Sequence, residues 1–416
     1  MLPTDPRLSA LRIVCLALTR AEDLQAVLDR ELELNDDQRN KALITEIVYG
    51  YLRYRARIDY VVNLFLSKPQ KLPFKLKILL GLAGYEIHFL DRVPDYATVS
   101  RAVDLSRRIF GRRMSGLINA VLRKVLKVDL FDEQIYKADN PGEIRFWSRY
   151  YSCPEWIVKM WKQSYGSQLC LEYLSQSLGK PPLGLREGRG WYGSTSMQHV
   201  EMRLGNSVLI KKDVPDMDKY LQADRVFRQS FAGQQALHKL GMKEWKGPVW
   251  DMCAGSGGKS LLMLDQGLKV YSSDVSIRRL KRCSKLSRDY DTFSHVFAAS
   301  GKFPPLKNNP PTILIDAPCS GLGVLSRRPD IKWKRKPVDI DRLSITQTAL
   351  LSSAASMVGN HGRIVYLTCT LCKNENERRI NDFLYKHNNF TLENTFQTDP
   401  GQELREFFYG AVLKKS

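Results

Sequence analysis

Two cysteines stand where the surrounding residue types offer the most chemistry. Cys319 lies in Asp316-Ala-Pro-Cys319-Ser-Gly-Leu-Gly, and Cys369 in Tyr366-Leu-Thr-Cys369-Thr-Leu-Cys-Lys-Asn-Glu375-Asn376-Glu377. Each follows an apolar run of strand length, Thr312 to Asp316 and Arg363 to Thr368. A single cysteine most often means a small buried side chain. Two of them at the ends of two strands, one beside a carboxylate, mean more. If the strands are neighbours in a parallel sheet, both thiols open onto one crevice. A thiolate adds to an electron-poor ring carbon, whereas a neutral thiol is a feeble nucleophile. Carbon 5 of a pyrimidine becomes nucleophilic only after something adds to carbon 6, so two thiols and an acid suit that reaction class. Downstream, Arg327-Arg328-Pro-Asp-Ile-Lys332-Trp333 combines cations that grip phosphate with a ring that stacks on a base.

Such chemistry needs a donor. Asp251-Met-Cys253-Ala254-Gly255-Ser256-Gly257-Gly258-Lys259 follows the short strand Val249 to Asp251 and precedes the apolar helix Ser260 to Leu264. Its glycines let backbone approach a ligand and turn sharply into a helix N-terminus. A plain tight loop is the ordinary meaning of such a turn, and the GxxxxGK[ST] spacing of a phosphate loop is not met. Asp274 closes the next strand, Lys269 to Ser273, at the usual place for a carboxylate on ribose hydroxyls. A nucleoside-containing cofactor is expected. The remaining cysteines, Cys15, Cys153, Cys170, Cys253, Cys283 and Cys372, are scattered, and all eight are expected to be reduced. Cys369-x-x-Cys372 lacks a second ligand pair at zinc spacing, so no metal is expected.

The elements that must position these groups fall into three stretches. From residue 6 to about 130 apolar residues recur at helical spacing, in Ile44 to Leu52, Ile58 to Leu66, Leu76 to Leu90 and Leu117 to Leu126, with Pro69, Pro73 and Pro94 in the connections. Arg53, Arg55, Arg57, Arg107, Arg108, Arg112, Arg113, Arg123 and Lys124 are expected on the outside of this bundle. Residues near 130–235 suggest a small α+β segment, with loops at Pro181-Pro182 and in a Gly/Ser-rich run through Ser196. From about 235 strands alternate with helices, which implies a largely parallel sheet with ligands at the strands' carboxyl ends. The 64 Lys and Arg against 44 Asp and Glu give a formal charge of +20, which favours a phosphate backbone as partner. No run approaches a membrane span, and no secretory signal is visible, so a cytoplasmic protein without membrane contact is expected.

The motifs DMCAGSGGK, DAPCSGLG with RRPDIKW, and YLTCT with ENE resemble the Sun/Fmu family of RNA cytosine carbon-5 methyltransferases. FLDRVPDYATVSRAVDLS and GLINAVLRKVL resemble the NusB-like RNA-binding domain fused ahead of the catalytic domain in its bacterial ribosomal branch. The resemblance implies a NusB-like all-α bundle over 1–135, a small α+β RNA-recognition segment over 136–235, and a Rossmann-like α/β methyltransferase domain over 236–416. It implies S-adenosylmethionine as cofactor, held by Cys253 through Lys259, Asp274, Ser300 and Asp316, and 16S ribosomal RNA or an early small-subunit particle as substrate. By position Cys369 is then the nucleophile, Cys319 the thiol that assists product release, and Asp316 the carboxylate that holds the target base. Arg327, Arg328, Lys332 and Trp333 would contact RNA, and a monomer is the expected state. The chain departs from the family pattern at Ser256 (usually Pro), Ser300 (usually acidic), Arg186-Glu187-Gly188, Ser230 (usually Asp), Ser326 (usually Arg) and Arg405-Glu406-Phe407-Phe408. Two other readings are an RNA-holding scaffold with a weakened catalytic domain, and a DNA cytosine methyltransferase; the cysteine placement and the bundle disfavour the second.

Overall fold

The computed structural model describes residues 5–19, 22–188, 197–211, 226–288, 295–303 and 305–416. The Gly/Ser-rich run ending at Ser196 lies outside them. The chain divides into two units: Met1–Leu178 with Arg328–Arg335, and Gly179–Arg327 with Lys336–Ser416.

The first unit is all-helical, as expected. Helices α1 (Pro6–Thr19), α2 (Leu24–Leu32), α3 (Gln38–Leu64), α4 (Phe74–Phe89), α5 (Asp95–Phe110) and α6 (Arg112–Val125) lead into α7 (Glu133–Lys137), α8 (Glu143–Tyr150) and α9 (Glu155–Leu178). Asp23 and Asp37 cap α2 and α3 by accepting amide hydrogen bonds from Ala26 and Arg39, groups that would otherwise lack a partner. One aliphatic core runs through the unit, including Leu11, Val14, Ile44, Ile47, Leu76, Leu80, Ile118 and Leu122. Burying each such side chain stabilises by about 1.5–3 kcal/mol.

Two of the arginines expected outside are inside. The two periodic runs before Pro69 form the single helix α3, and its middle turns upward into the core. Arg57 is buried, donates to the Tyr150 carbonyl at 2.6 Å and stands over the Tyr150 ring at 4.2 Å. Arg53 is buried as well. Aromatic faces and a backbone oxygen replace the water that a guanidinium loses on burial. Arg107, Arg108, Arg112, Arg113, Arg123 and Lys124 are exposed.

The second unit holds two sheets. Strands β1 (Gly184–Glu187), β2 (Val200–Leu204), β3 (Ser207–Ile210) and β4 (Val226–Arg228) make an antiparallel sheet in the order β2-β3-β1-β4. The stretch 136–235, expected as one segment, is therefore split: its helices count with the bundle and its strands with the second unit. After helix α10 (Phe231–Lys239) come β5 (Val249–Asp251), α11 (Gly258–Asp265), β6 (Val270–Asp274), α12 (Ile277–Ser287), β7 (His295–Ala298) and β8 (Thr312–Asp316). The short α13 (Ile331–Lys334) belongs to the first unit; then follow α14 (Pro337–Met357), β9 (Arg363–Thr368), α15 (Glu377–Lys386), β10 (Phe390–Gln397) and β11 (Tyr409–Lys415).

The larger sheet runs β10-β11-β9-β8-β5-β6-β7, parallel except at β11, which pairs antiparallel with both β9 and β10. Alternation sets its two faces. Ile313, Ile315, Ile364 and Tyr366 pack with Leu350, Leu351 and Ala354 of α14, while Leu314, Val365 and Leu367 pack with Leu261, Leu262 and Leu237. Strand order progresses one way from β5 through β6 to β7, and the other way from β8 to β9. The reversal between β5 and β8 leaves a crevice beyond their carboxyl ends, where open α/β sheets bind ligands. This is the Rossmann-like arrangement expected.

Candidate active site

The carboxyl ends of four parallel strands bring together almost everything the sequence singled out. Asp251 ends β5, Asp274 ends β6 and Asp316 ends β8, while Cys369 follows directly on β9. β8 and β9 are adjoining parallel strands with Asp316 opposite Leu367, so Cys319 and Cys369 leave the sheet side by side. Their sulfurs are 3.3 Å apart, and the Cys369 amide also donates to Cys319 Sγ at 3.3 Å. The hydrogen bond with Cys369, then burial, pushes the Cys319 thiol well above its usual range. A thiol so placed keeps its proton and suits donation to its neighbour better than attack.

Lys259, from the first turn of α11, donates to Asp316 Oδ2 at 2.6 Å. Burial alone would lower the Lys259 ammonium, but the adjacent Asp316 carboxylate more than offsets it and the net direction is up. The pair is a fixed dipole about three residues along the chain from Cys319.

The glycine-rich loop runs from β5 to α11. Gly255 and Gly257 have φ of 57° and 88°. At Gly257 an added Cβ would lie 2.5 Å from Cys283 Sγ, whereas at Gly255 it would meet nothing within 4 Å. The loop therefore packs closely on one side and is open on the other. Asp274 holds its shape: Oδ2 accepts from the Gly255 amide at 3.0 Å and Oδ1 from the Ser276 amide at 2.8 Å. Cys253, Ala254 and Gly255 are half-buried, and Ser256 and Gly258 are exposed along the same loop. Burial raises the Cys253 thiol, which makes it a packing group and not a nucleophile. Ser300 sits in the turn after β7, its hydroxyl accepting from the Lys302 amide at 3.4 Å.

Several groups had no role in the sequence reading. Asp251 is fully buried, and burial pushes its carboxyl up to about 7 against the hydrogen bond from Ser260. Val275 and Phe303, at 75% and 76% exposure, stand apolar and uncovered just past β6 and β7. Glu375, quoted only as part of a motif, is buried against Ser320. Glu406 holds Arg327 through Nε at 2.7 Å and Nη2 at 2.9 Å, and accepts from Ser230 at 2.7 Å.

The run expected to contact RNA is divided. Arg327 lies in the sheet unit with its side chain 41% exposed. Arg328, Lys332 and Trp333 belong to the helical unit and are committed there. Arg328 pairs with Asp23 at 2.8 Å, and the Trp333 indole donates to the Leu52 carbonyl at 2.7 Å. Lys332 is buried and donates to the Arg53 carbonyl at 2.9 Å; burial pushes its ammonium down to about 7. The physical reason is local. Ile331 to Lys334 form a helical turn beside α3, where the lysine ammonium and the indole N–H donate to backbone carbonyls of that helix.

Comparison with known proteins decides the family. Residues 239–408 match the model of the 16S rRNA methyltransferase RsmB/F family, and residues 4–127 match the NusB family. The stretch 239–408 is of the RsmB/F family, and a NusB-like region lies ahead of it. It is 29% identical over 395 residues to the probable ribosomal RNA small subunit methyltransferase B of Bacillus subtilis, covering 90% of this chain and 86% of that one. It is 29% identical over 428 residues to ribosomal RNA small subunit methyltransferase B of Vibrio cholerae, covering 96% of each. Among solved structures, PH0851 superposes at a TM-score of 0.76 with 21% identity, over 100% of both chains. NSun6 from Pyrococcus horikoshii with SFG superposes at 0.52 with 17% identity, over 63% of this chain and 98% of that one. With that region and these relatives, the protein is a methyltransferase that uses S-adenosylmethionine. The site fits that cofactor: a loop open at Gly255, a carboxylate at Asp274 and free amides where α11 begins. Among the described residues no helix is long and apolar enough to cross a membrane.

Proposed function

We propose that this protein methylates carbon 5 of a cytosine in small-subunit (16S) ribosomal RNA through a covalent bond from Cys369 to the base. The observation that carries the reading is the pair of sulfurs 3.3 Å apart beside the Lys259–Asp316 pair. Cys319 and Cys369 are intermediate in exposure, enough for a flipped base to reach them. The relatives that the chain matches over most of its length are named for small-subunit ribosomal RNA methylation.

S-adenosylmethionine would supply an electrophilic methyl group when bound; Cys253 through Lys259, Asp274, Ser300 and Asp316 would hold it, and the exposed Val275 would add an apolar surface. The chain's own groups do the rest. The Cys369 thiolate adds to carbon 6, forming the C6–S bond and placing electron density on carbon 5. Asp316, held through Oδ2 by Lys259, accepts on Oδ1 a hydrogen bond from ring nitrogen 3 once that nitrogen has taken a proton from solvent, which eases the addition. With the new methyl on carbon 5, the proton there is lost to a base and the C6–S bond breaks. Cys319, which keeps its proton, donates to the departing Cys369 sulfur, and the aromatic ring is restored. Arg327 contacts the RNA. The protein acts as a monomer in the cytoplasm, on RNA that is not yet buried in a finished subunit.

The test is transfer of label from S-adenosylmethionine to small-subunit ribosomal RNA, with C369A and C319A alongside. C369A is expected to lose transfer by at least about 10⁴-fold. C319A is expected to accumulate protein covalently joined to RNA, visible as a shifted band that resists denaturant. Label on DNA alone, or normal turnover by C319A with no joined species, would overturn the reading.

A further inference from the structure

The chemistry above uses two sulfurs but says nothing of what keeps them together. Adjoining strands bring Cys319 and Cys369 out side by side, but each sits on its own loop, and the conformations of those loops set their 3.3 Å separation. Every residue flanking either cysteine is bonded to one polar cluster. Glu375 accepts from the Ser320 amide at 2.8 Å and from the Ser320 hydroxyl at 2.5 Å, on the loop of Cys319. It also accepts from the Thr370 hydroxyl at 3.4 Å, on the loop of Cys369. Asn376 spans Cys369: its Oδ1 accepts from the Thr368 hydroxyl at 2.6 Å, and its Nδ2 donates to the Thr370 carbonyl at 2.9 Å. Gln347, reaching in from α14, donates to the Pro318 carbonyl at 3.0 Å and to Glu375 at 3.0 Å.

Glu375 and Asn376 are both at most 1% exposed. Burying a carboxylate costs several kcal/mol unless it is fully hydrogen-bonded, and a sheet edge needs no such group for its own stability. Here its bonds go to the two thiol-bearing loops and to Gln347, which itself holds the Pro318 carbonyl. Tyr366, from β9, further pins the Glu375 backbone by donating to its carbonyl at 2.8 Å.

We propose that Glu375 is a positioning residue for the two-thiol chemistry, and that with Asn376 and Gln347 it forms a clasp fixing Cys319 and Cys369 against each other. The inference rests on the covalent reading above for its purpose, but the clasp itself is a property of the RNA-free protein. The negative charge of Glu375 adds to the forces holding a proton on Cys319. E375Q keeps the size but loses the charge, and the Ser320 and Thr370 hydroxyls must turn from donors to acceptors to meet its amide, so it weakens the clasp without leaving a cavity.

The experiment has two arms on the full-length protein. Without RNA, the thiol oxidant diamide drives the two thiols to a disulfide, itself being reduced to the hydrazine, and free-thiol titration follows the rate. E375Q is expected to slow this closure about tenfold or more, because bridging needs both sulfurs close and oriented. Alkylation of Cys319 by iodoacetamide, mapped by mass spectrometry across pH, is expected to gain its midpoint roughly half a unit to one unit lower in E375Q. With RNA, E375Q is expected to lower kcat about 10²-fold, the cost of a misplacement of about 1 Å, with KM for RNA within about twofold. Wild-type rates of disulfide closure and an unmoved alkylation midpoint would overturn the clasp, whatever happens to methylation. If E375Q does not fold, N376D carries the same three readouts, since a carboxylate facing the Thr370 carbonyl loosens only the Cys369 loop. Normal closure in N376D would overturn the proposal equally. Absence of RNA methylation in the wild type would instead strike the covalent reading, with the diamide arm still deciding the clasp.

Discussion

Two lysines, Lys332 buried in the helical unit and Lys259 half-buried in the sheet unit, behave in opposite ways. Lys332 of the helical unit is pushed down to about 7 by burial, helped by the charges of Arg53 and Arg57. Its partners are the Arg53 carbonyl and, at 5.2 Å, the Trp333 ring. Lys259 of the sheet unit is raised, because the Asp316 carboxylate 2.6 Å away outweighs its burial. The low-dielectric surroundings are common to both, and the presence of an anion sets the sign. Burial of a cation therefore marks no function by itself. A cation fixed on a carboxylate at the ends of parallel strands does, and a cation used to satisfy helix carbonyls is architecture.

Replacing each lysine by the isosteric, uncharged methionine should separate the two. The largest effect is expected for Lys259→Met: methyl transfer falls about 10²- to 10³-fold as Asp316 loses its orienting partner. Its thermal stability should change little. Equal losses of activity from Lys259→Met and Lys332→Met in the transfer assay would erase the distinction.

Lys332→Met should act on stability, and with a definite pH dependence. A lysine whose folded pKa lies at about 7, below its ordinary 10.5, binds fewer protons folded than unfolded between those values. Wild-type stability attributable to this group therefore rises with pH across that window, and below about 7 the folded state carries the whole cost of a buried charge. Denaturant unfolding should show Lys332→Met gaining on wild type by the order of a few kcal/mol at pH 6, with the gap closing toward pH 10. The lost bond to the Arg53 carbonyl offsets about 1 kcal/mol of that gain. A gap that does not change with pH would mean that Lys332 keeps its ordinary pKa in the folded protein and stays charged across the window.

The smallest expected effects distinguish neighbouring arginines. Arg327→Ala should weaken RNA binding about tenfold and lower the salt slope of affinity by about one ion. Arg328→Ala should leave both within about twofold, because its guanidinium stands between two carboxylates, Asp23 and Asp330, and is less exposed than that of Arg327, 33% against 41%. RNA titrations at several salt concentrations read both.

The same contrast explains what the sequence could and could not convey. Cys319, Cys369, Asp274 and Asp316 were legible because each closes a strand, and strand ends in a parallel sheet share one edge. The glycine loop was legible for a similar reason, lying between a strand and a helix. The arginines of α3 and the run from Arg328 to Trp333 were not. Basic residues interleaved with aromatics have one composition, whether the rings stack on bases or cover guanidinium groups inside a bundle, as Tyr150 covers Arg57. The stretch 136–235 was read as one piece because the Pro181-Pro182 loop marks a break in the chain but not which unit each side joins. Glu375 was visible as a letter, but its role lies in contacts 28 and 55 residues away, with Gln347 and Ser320. Ser230 and Glu406, read as two separate departures, are bonded to each other, 176 residues apart.

The course of the backbone at Arg328–Arg335 carries a lesson for anyone cutting this gene. Eight residues encoded deep within the methyltransferase half are built into the helical half, after which the strand-forming sequence resumes. A plasmid expressing only residues after Leu178 would deliver a tryptophan and an uncompensated lysine with their sockets missing, and the product is expected to be sticky and poorly recovered. Shuffling the front half for another RNA-binding module would meet the same obstacle. The two halves are inherited as a set.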